Sequence, residues 1–147
     1  MFLITDKPID VAAALAAAAR PEDGAVATFM GMVRNHSNGT PVRELFYETY
    51  APMALKSFEE IGRQVKSLWK VSGLTIIHRT GRLCPGDMAV LVVATSEHRR
   101  DALEACARAI ERIKQISPIW KKEFGGDGSQ AWVEQCAAPR EEHRVLV

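Results

Sequence analysis

Between Met88 and Thr95 the chain reads Met-Ala-Val-Leu-Val-Val-Ala-Thr, and straight after Ser96 its apolar spacing becomes a helical one that lasts to about Ile116. An apolar run rich in β-branched residues is a strand pattern, and apolar residues three and four apart are a helix pattern. A chain holding both in immediate succession has to layer helix on sheet. The junction is also electrostatically odd. Ser96 is placed to cap the helix with its hydroxyl, yet the first turn holds His98, Arg99 and Arg100. Unpaired N–H groups already make a helix start positive, so each misplaced cation costs about 0.3–1 kcal/mol unless an anion sits there. Two readings stand: long side chains swinging into water, or an anion site.

The remaining pattern fills in the layers. Phe2 to Thr5 reads as a short strand, and Asp10 caps an alanine-rich helix from Val11 to about Arg20, stopped before Pro21. Asp23-Gly24 is a turn, followed by a strand from Ala25 to Met30 and a loop from Arg34 to Pro41. Val42 to Tyr50 alternates as a strand. From Pro52 to about Lys70 the residues Leu55, Phe58, Ile61, Val65, Leu68 and Trp69 follow a helical spacing. Leu74 to Arg79 begins another strand, Cys84-Pro85-Gly86-Asp87 is a tight turn, Ile119 to Phe124 alternates, and Ala131 to Glu134 ends the pattern. The expected fold is an α+β sandwich: a mixed, largely antiparallel sheet with helices packed on one side. Residues 1–147 are expected to form one domain, with a loose tail from about Ala137.

With 47% hydrophobic and 25% charged residues, the composition is that of an ordinary soluble protein. A formal net charge of +1 argues against broad attraction to nucleic acid or membrane, so any anion preference is local. Cys84, Cys106 and Cys136 are odd in number and lack C-x-x-C spacing, which fits neither a disulfide framework nor a zinc site. Met1 to Asp10 has no long apolar core, and Val11 to Ala19 is too short to span a bilayer. A reducing cytoplasm is the expected setting.

On the helical wheel after Ser96, Leu103, Cys106, Ile110 and Ile113 form the expected buried stripe, while Asp101, Glu104, Arg108, Glu111 and Arg112 fall away from it. Arg99 and Lys114 lie on or near the apolar side and are expected to face the interior or a cleft. For Lys114 a snorkelling stem is the plain alternative. Lys121 follows the turn at Pro118, and as strand residues Lys121 and Glu123 share a face that Lys122 does not. A lysine crowded by cations or apolar walls gives up its proton more easily and can serve as base or nucleophile. The loop Met32 to Gly39, holding Arg34 and His36, is a second candidate, with a plain hairpin as its alternative; His78 and Arg79 read as structural or surface residues. No phosphate-binding glycine loop, dinucleotide fingerprint or nucleophile elbow is present. What remains is a cationic group of Arg34, His98, Arg99, Lys114 and Lys121, suited to a small phosphorylated substrate.

These residues fall within an ordered set. Asp23-Gly24-Ala25 through Phe29, Gly31-Met32-Val33-Arg34-Asn35-His36, Ile77-His78-Arg79-x-Gly81, Pro85-Gly86-Asp87, Ser96-x-His98-Arg99, Lys114-x-x-x-Pro118-x-Trp120-Lys121 and Trp132-Val133-Glu134 occur in turn. The set resembles the large, catalytic subunit of molybdopterin synthase. The resemblance implies transfer of two sulfurs to cyclic pyranopterin monophosphate, making the dithiolene of molybdopterin. It implies as partners a small ubiquitin-like sulfur carrier with a C-terminal Gly-Gly thiocarboxylate and a second copy of the chain, in a heterotetramer, with no metal or organic cofactor. Arg34, His98 and Arg99 would hold phosphate and pterin. Lys114 and Lys121 would flank the thiocarboxylate and the reacting carbons, with Glu123 counted among the substrate-binding residues. Lys114 would transfer a proton or attach transiently, and Lys121 would give electrostatic support. Nothing is carried over before Asp23 or after Glu134, where Gln135 and Cys136 stand in the place of a basic residue common in the family. A phosphometabolite-binding module and a scaffold docking a partner's C-terminal tail are the competing readings.

Overall fold

The computed structural model describes residues 1–133. The elements run β1 (Phe2–Thr5), α1 (Val11–Ala18), β2 (Ala25–Met32), β3 (His36–Ser37), β4 (Thr40–Thr49), α2 (Ala51–Leu68), β5 (Val71–Arg79), β6 (Gly81–Leu83), β7 (Met88–Ser96), α3 (Arg99–Ile116), β8 (Ile119–Gly125) and β9 (Gln130–Val133). The fold is α+β, with the strands divided between two sheets. One has the order β1-β5-β7-β2, with β1 parallel to β5 and the other pairs antiparallel. The other runs β3-β4-β8-β9, with β6 also paired to β4.

Each face of the first sheet is covered. On one face α2 and α3 bury Phe58, Ile61, Val65, Ala105, Ala109 and Ile113 against Ile76, Val92 and Ala94. On the other, Ala14 of α1 meets Ile77, Leu91 and Val93. Helices on a single side were expected; α1 is the exception. Its alanines place little apolar area anywhere, but Val11, Leu15 and Ala18 pack beside Ala14 on that cluster, and Asp10 Oδ1 accepts from Ala13 N–H at 3.0 Å as its cap. The second sheet joins the first through Val33, Val42, Leu45, Leu83 and Ala89. That junction lies where β2 ends and β7 begins.

Three local expectations are corrected. Ser96 is not the cap of α3: it is the buried last residue of β7, its hydroxyl donates to the His98 carbonyl, and His98 holds the N-cap position with no side-chain cap bond. Leu103 is not in the buried stripe; it is 60% exposed, and the stripe is Ala102, Ala105, Cys106, Ala109 and Ile113. Small side chains let α3 lie close on β2 and β7, and Leu103 is one step, roughly 100°, off that line. The loop expected from Arg34 to Pro41 contains strand residues His36 and Ser37 and takes its plain-hairpin alternative, with Asn38 at φ 49° and Gly39 at φ 78° between β3 and β4. The expected loose tail, and Glu134 to Cys136, lie outside the described residues.

Gly24 fixes how the junction of β7 and α3 sits. Its N–H donates to Ser96 O at 3.0 Å, and a Cβ added there would stand 2.3 Å from Glu97 O. Only glycine allows that approach. Beside it the Ser72 hydroxyl donates to Asp23 Oδ1 at 2.5 Å and lies 2.8 Å from Thr95 Oγ1.

Candidate active site

At the junction of the two sheets a cavity of about 360 Å³ opens between the end of β2, the last turns of α3 and the inner face of β4 and β8. Its apolar wall includes Phe29, Met32, Val42, Leu45, Val90 and Ile110, and its polar members include Arg34, His36, Lys114, Lys121 and Glu123. Lys114 is in the last turn of α3, where a cation meets unpaired carbonyls and is favoured. Lys121 reaches the same space from β8 because alternation turns it and Glu123 inward while Lys122 packs outside, 5.4 Å from the Phe124 ring and 5.5 Å from the Trp132 ring. Lys121 Nζ lies 3.4 Å from Glu123 Oε1, both largely buried. Lys114 is exposed and pairs with no carboxylate among the described residues.

The spacing of the two lysines is set by the joint between α3 and β8. Ser117 ends the helix with its N–H on Ile113 O at 3.1 Å, and Ile119 N–H turns back onto Ser117 O at 2.8 Å. Two side chains staple the joint: Ser57 of α2 sits 2.7 Å, oxygen to oxygen, from the Ser117 hydroxyl, and the Thr49 hydroxyl donates to Pro118 O at 2.8 Å.

His98 and Arg99 are not in this cavity. Fifteen residues of α3 separate Arg99 from Lys114, about 22 Å along a helix axis. β2 gives a second ruler: Ala25 pairs with Ser96, whereas Met32 lines the cavity, about 23 Å away along a strand. Arg99 is exposed at the far end. Its neighbour Arg100 is drawn off by Glu104 at 2.8 Å, and Asp101 supplies an acid in the first turn, so the charge pattern at that helix start is partly compensated without a ligand.

Two residues that the sequence left aside complete the wall: Tyr47 of β4 and His78 of β5. Burial, with Glu123 adding to it, pushes the Tyr47 phenol up to about 12. Burial pushes His78 down to about 4. Both are neutral near pH 7. The available signal was alternation, which puts His78 on the same face as the core residue Ile76. Among the described residues no group of three His, Cys, Asp or Glu side chains is arranged to hold a metal ion, and no helix is long and apolar enough to cross a membrane.

The model of the MoaE protein family matches residues 4–116. The chain belongs to the MoaE family. It is 43% identical over 132 residues to the molybdopterin synthase catalytic subunit of Bacillus subtilis, covering 90% of this chain and 83% of that one. It is 41% identical over 130 residues to molybdopterin synthase catalytic subunit 1 of Mycobacterium tuberculosis, covering 88% of each. Among solved structures, molybdopterin synthase from Staphylococcus aureus superposes with a TM-score of 0.84 at 40% identity, covering 88% of this MoaE-family chain and 94% of that one. A protein–protein complex of subunits 1 and 2 of molybdopterin-converting factor from Helicobacter pylori superposes with a TM-score of 0.75 at 25% identity, covering 99% of both.

Proposed function

We propose that the cavity is where sulfur passes from the C-terminal thiocarboxylate of a small ubiquitin-like, Gly-Gly-ended subunit to cyclic pyranopterin monophosphate. As a MoaE-family chain this is a molybdopterin synthase catalytic subunit, an enzyme of molybdenum-cofactor formation. The observation that carries the site is the meeting of Arg34 with Lys114, Lys121 and Glu123, which lie eighty or more residues further along the chain, around one cavity with an apolar wall. Residues 1–147 act as one unit. The free thiol of exposed Cys84 suits a reducing cytoplasm.

In each transfer the thiocarboxylate sulfur forms a bond to a pterin carbon as that carbon's oxygen substituent departs. Water then adds to the tail's acyl carbon, the acyl carbon–sulfur bond breaks, and the products are the tail carboxylate, a proton and the sulfur left on the pterin as thiolate. Negative charge develops and relocates during both events, and fixed cations in a partly dry cavity stabilise it. Lys121, held by Glu123, supplies the fixed charge beside the tail. Lys114, exposed and unpaired among the described residues, is the group free to move a proton or to attach transiently. Arg34 takes substrate anion at the end of β2.

His98 and Arg99 keep their phosphate-holding role only if they belong to the cavity of a second copy. An edge strand with an apolar surface supports that arrangement: β2 ends the first sheet, and Val26, Met30 and Met32 are 44%, 48% and 50% exposed. Met30 and Met32 also line the cavity, so a copy seated on this edge borders its mouth. The experiment mixes the protein with thiocarboxylated small subunit and cyclic pyranopterin monophosphate and assays dithiolene. Wild type forms product and Lys114→Ala loses most of it; a wild type that binds both partners and makes none defeats the reading. Co-assembled Lys114→Ala and Arg99→Ala chains regain product if the site is shared between copies, and stay inactive if it is not.

A further inference from the structure

His78 has no task in the transfer just described, yet it stands in the cavity wall while only 4% exposed. Its Nδ1 lies 2.8 Å from the Arg79 carbonyl oxygen. A carbonyl only accepts, so the proton is on Nδ1 and Nε2 keeps a bare lone pair. Among the described residues Arg79 Nε is the enclosed side-chain nitrogen or oxygen left without a partner. Nε2 has no hydrogen-bond partner among the described residues, and the open space that His78 borders is the cavity. The Tyr47 ring packs edge-on against the imidazole, 5.1 Å between centroids at 71°, and fixes its orientation. The charged and titratable groups around it are Arg34, His36, Lys114, Lys121 and Glu123 in the cavity, with Arg79 next in the strand.

We propose that His78 Nε2 is a substrate-binding acceptor that takes an N–H of the pterin and so sets which end of the substrate faces the lysines. This rests on the sulfur-transfer reading of the cavity. Phosphate and thiocarboxylate offer acceptor atoms, which a bare lone pair repels and the cations attract. A pterin also carries ring and amino N–H donors, for which Arg34, Lys114 and Lys121, donors themselves, are no partners, and the Glu123 carboxylate is engaged by Lys121 at 3.4 Å. The cavity thus has a cationic pole and a neutral accepting pole. A flipped substrate leaves donors unpaired against cations and Nε2 unpaired against an anion, and orientation is selected by that penalty.

Steady-state dithiolene formation is compared for wild type, His78→Phe and His78→Gln. Phenylalanine keeps the ring packing and removes the acceptor; glutamine returns an acceptor near the Nε2 position. His78→Phe is expected to raise KM for the pterin about tenfold with KM for the small subunit unchanged, and His78→Gln to recover most of it. An unmoved pterin KM in folded His78→Phe, or equal losses in both variants, overturns the proposal. Should His78→Phe not fold, nitrogen NMR of wild type decides. The Nε2 resonance must be that of an unprotonated nitrogen and must move when pterin is added; a resonance that stays put overturns the proposal. Wild type without product defeats the sulfur-transfer reading and this one with it, whereas normal wild-type turnover beside an unchanged His78→Phe defeats this one alone.

Discussion

Gly24→Ala is the sharpest test of how the cation-bearing turn is held. The new Cβ would stand 2.3 Å from Glu97 O and 3.4 Å from Glu97 C, both backbone atoms. Unstrained contact needs about 3.5 Å, so β2 and the turn after β7 must part by about 1 Å. That movement works against the 3.0 Å bond from Gly24 N–H to Ser96 O and the neighbouring Ser72–Asp23 and Ser72–Thr95 contacts. Overpacking of this kind costs about 1–3 kcal/mol, offset by about 0.4–1 kcal/mol from a stiffer unfolded chain. A net loss of about 1–2 kcal/mol lowers Tm by about 2–8 °C for a protein of this size. Gly126→Ala is the control, because its new Cβ would meet Pro41 Cβ at 3.7 Å, an ordinary contact. Urea unfolding and calorimetry measure both variants, and dithiolene formation well below Tm gives a second reading, since His98 and Arg99 ride on the displaced turn. If Gly24→Ala and Gly126→Ala unfold within about 0.5 kcal/mol of each other, the reasoning is wrong.

Lys114→Ala is expected to lower kcat by about 10²–10⁴-fold while the small subunit still co-purifies, the range for loss of a proton-transferring group. Phe58→Ala, which empties a fully buried site packed edge-on against Phe2, is expected to cost about 3–5 kcal/mol in denaturant unfolding. For His78 the folded pKa of about 4 lies below the ordinary 6.5. Between those values the unfolded chain binds the extra proton, so acidification lowers stability by up to about 1.4 kcal/mol per pH unit. Unfolding free energies from pH 7 to pH 4 should show that slope in wild type and a shallower one in His78→Phe; parallel slopes contradict it. Burial, and then Glu123, push the Tyr47 phenol up to about 12, so Glu123→Gln should bring its absorbance transition to lower pH.

Strong periodic segments were legible because their residues carry the instruction locally: α1, α2 and β7 lie where patterning put them, with ends that differ by one or two residues. What failed depended on other parts of the chain. Ser96 looks like a cap until the pairing of β7 with β2 and β5 claims it as strand. Leu103 outranks alanine in hydrophobicity, but the closeness of α3 to its sheet selects Ala102 and Ala105. A division into two sheets leaves no mark in a one-dimensional alternation. Of the candidate site residues, Lys114, Lys121 and Glu123 reach one cavity as wheel and alternation suggest, and Arg34 reaches it from its loop. His98 and Arg99 were grouped with them by charge, although one helix length keeps them apart. His78 was passed over because a histidine at a strand end has no signature until Tyr47 and the cavity are beside it.

The joint between Lys114 and Lys121 has a consequence for where reactivity resides in the chain. Its staples, Thr49 and Ser57, flank the corner where β4 gives way to α2, and they reach residues 69 and 60 positions further along. One corner of the chain therefore clamps another. A peptide spanning residues 99–125 would hold both amines and the turn between them, yet it would lack both clamps. The gap between the lysines is not written in the segment that carries them. It exists only once two chain reversals, made far apart, have locked together.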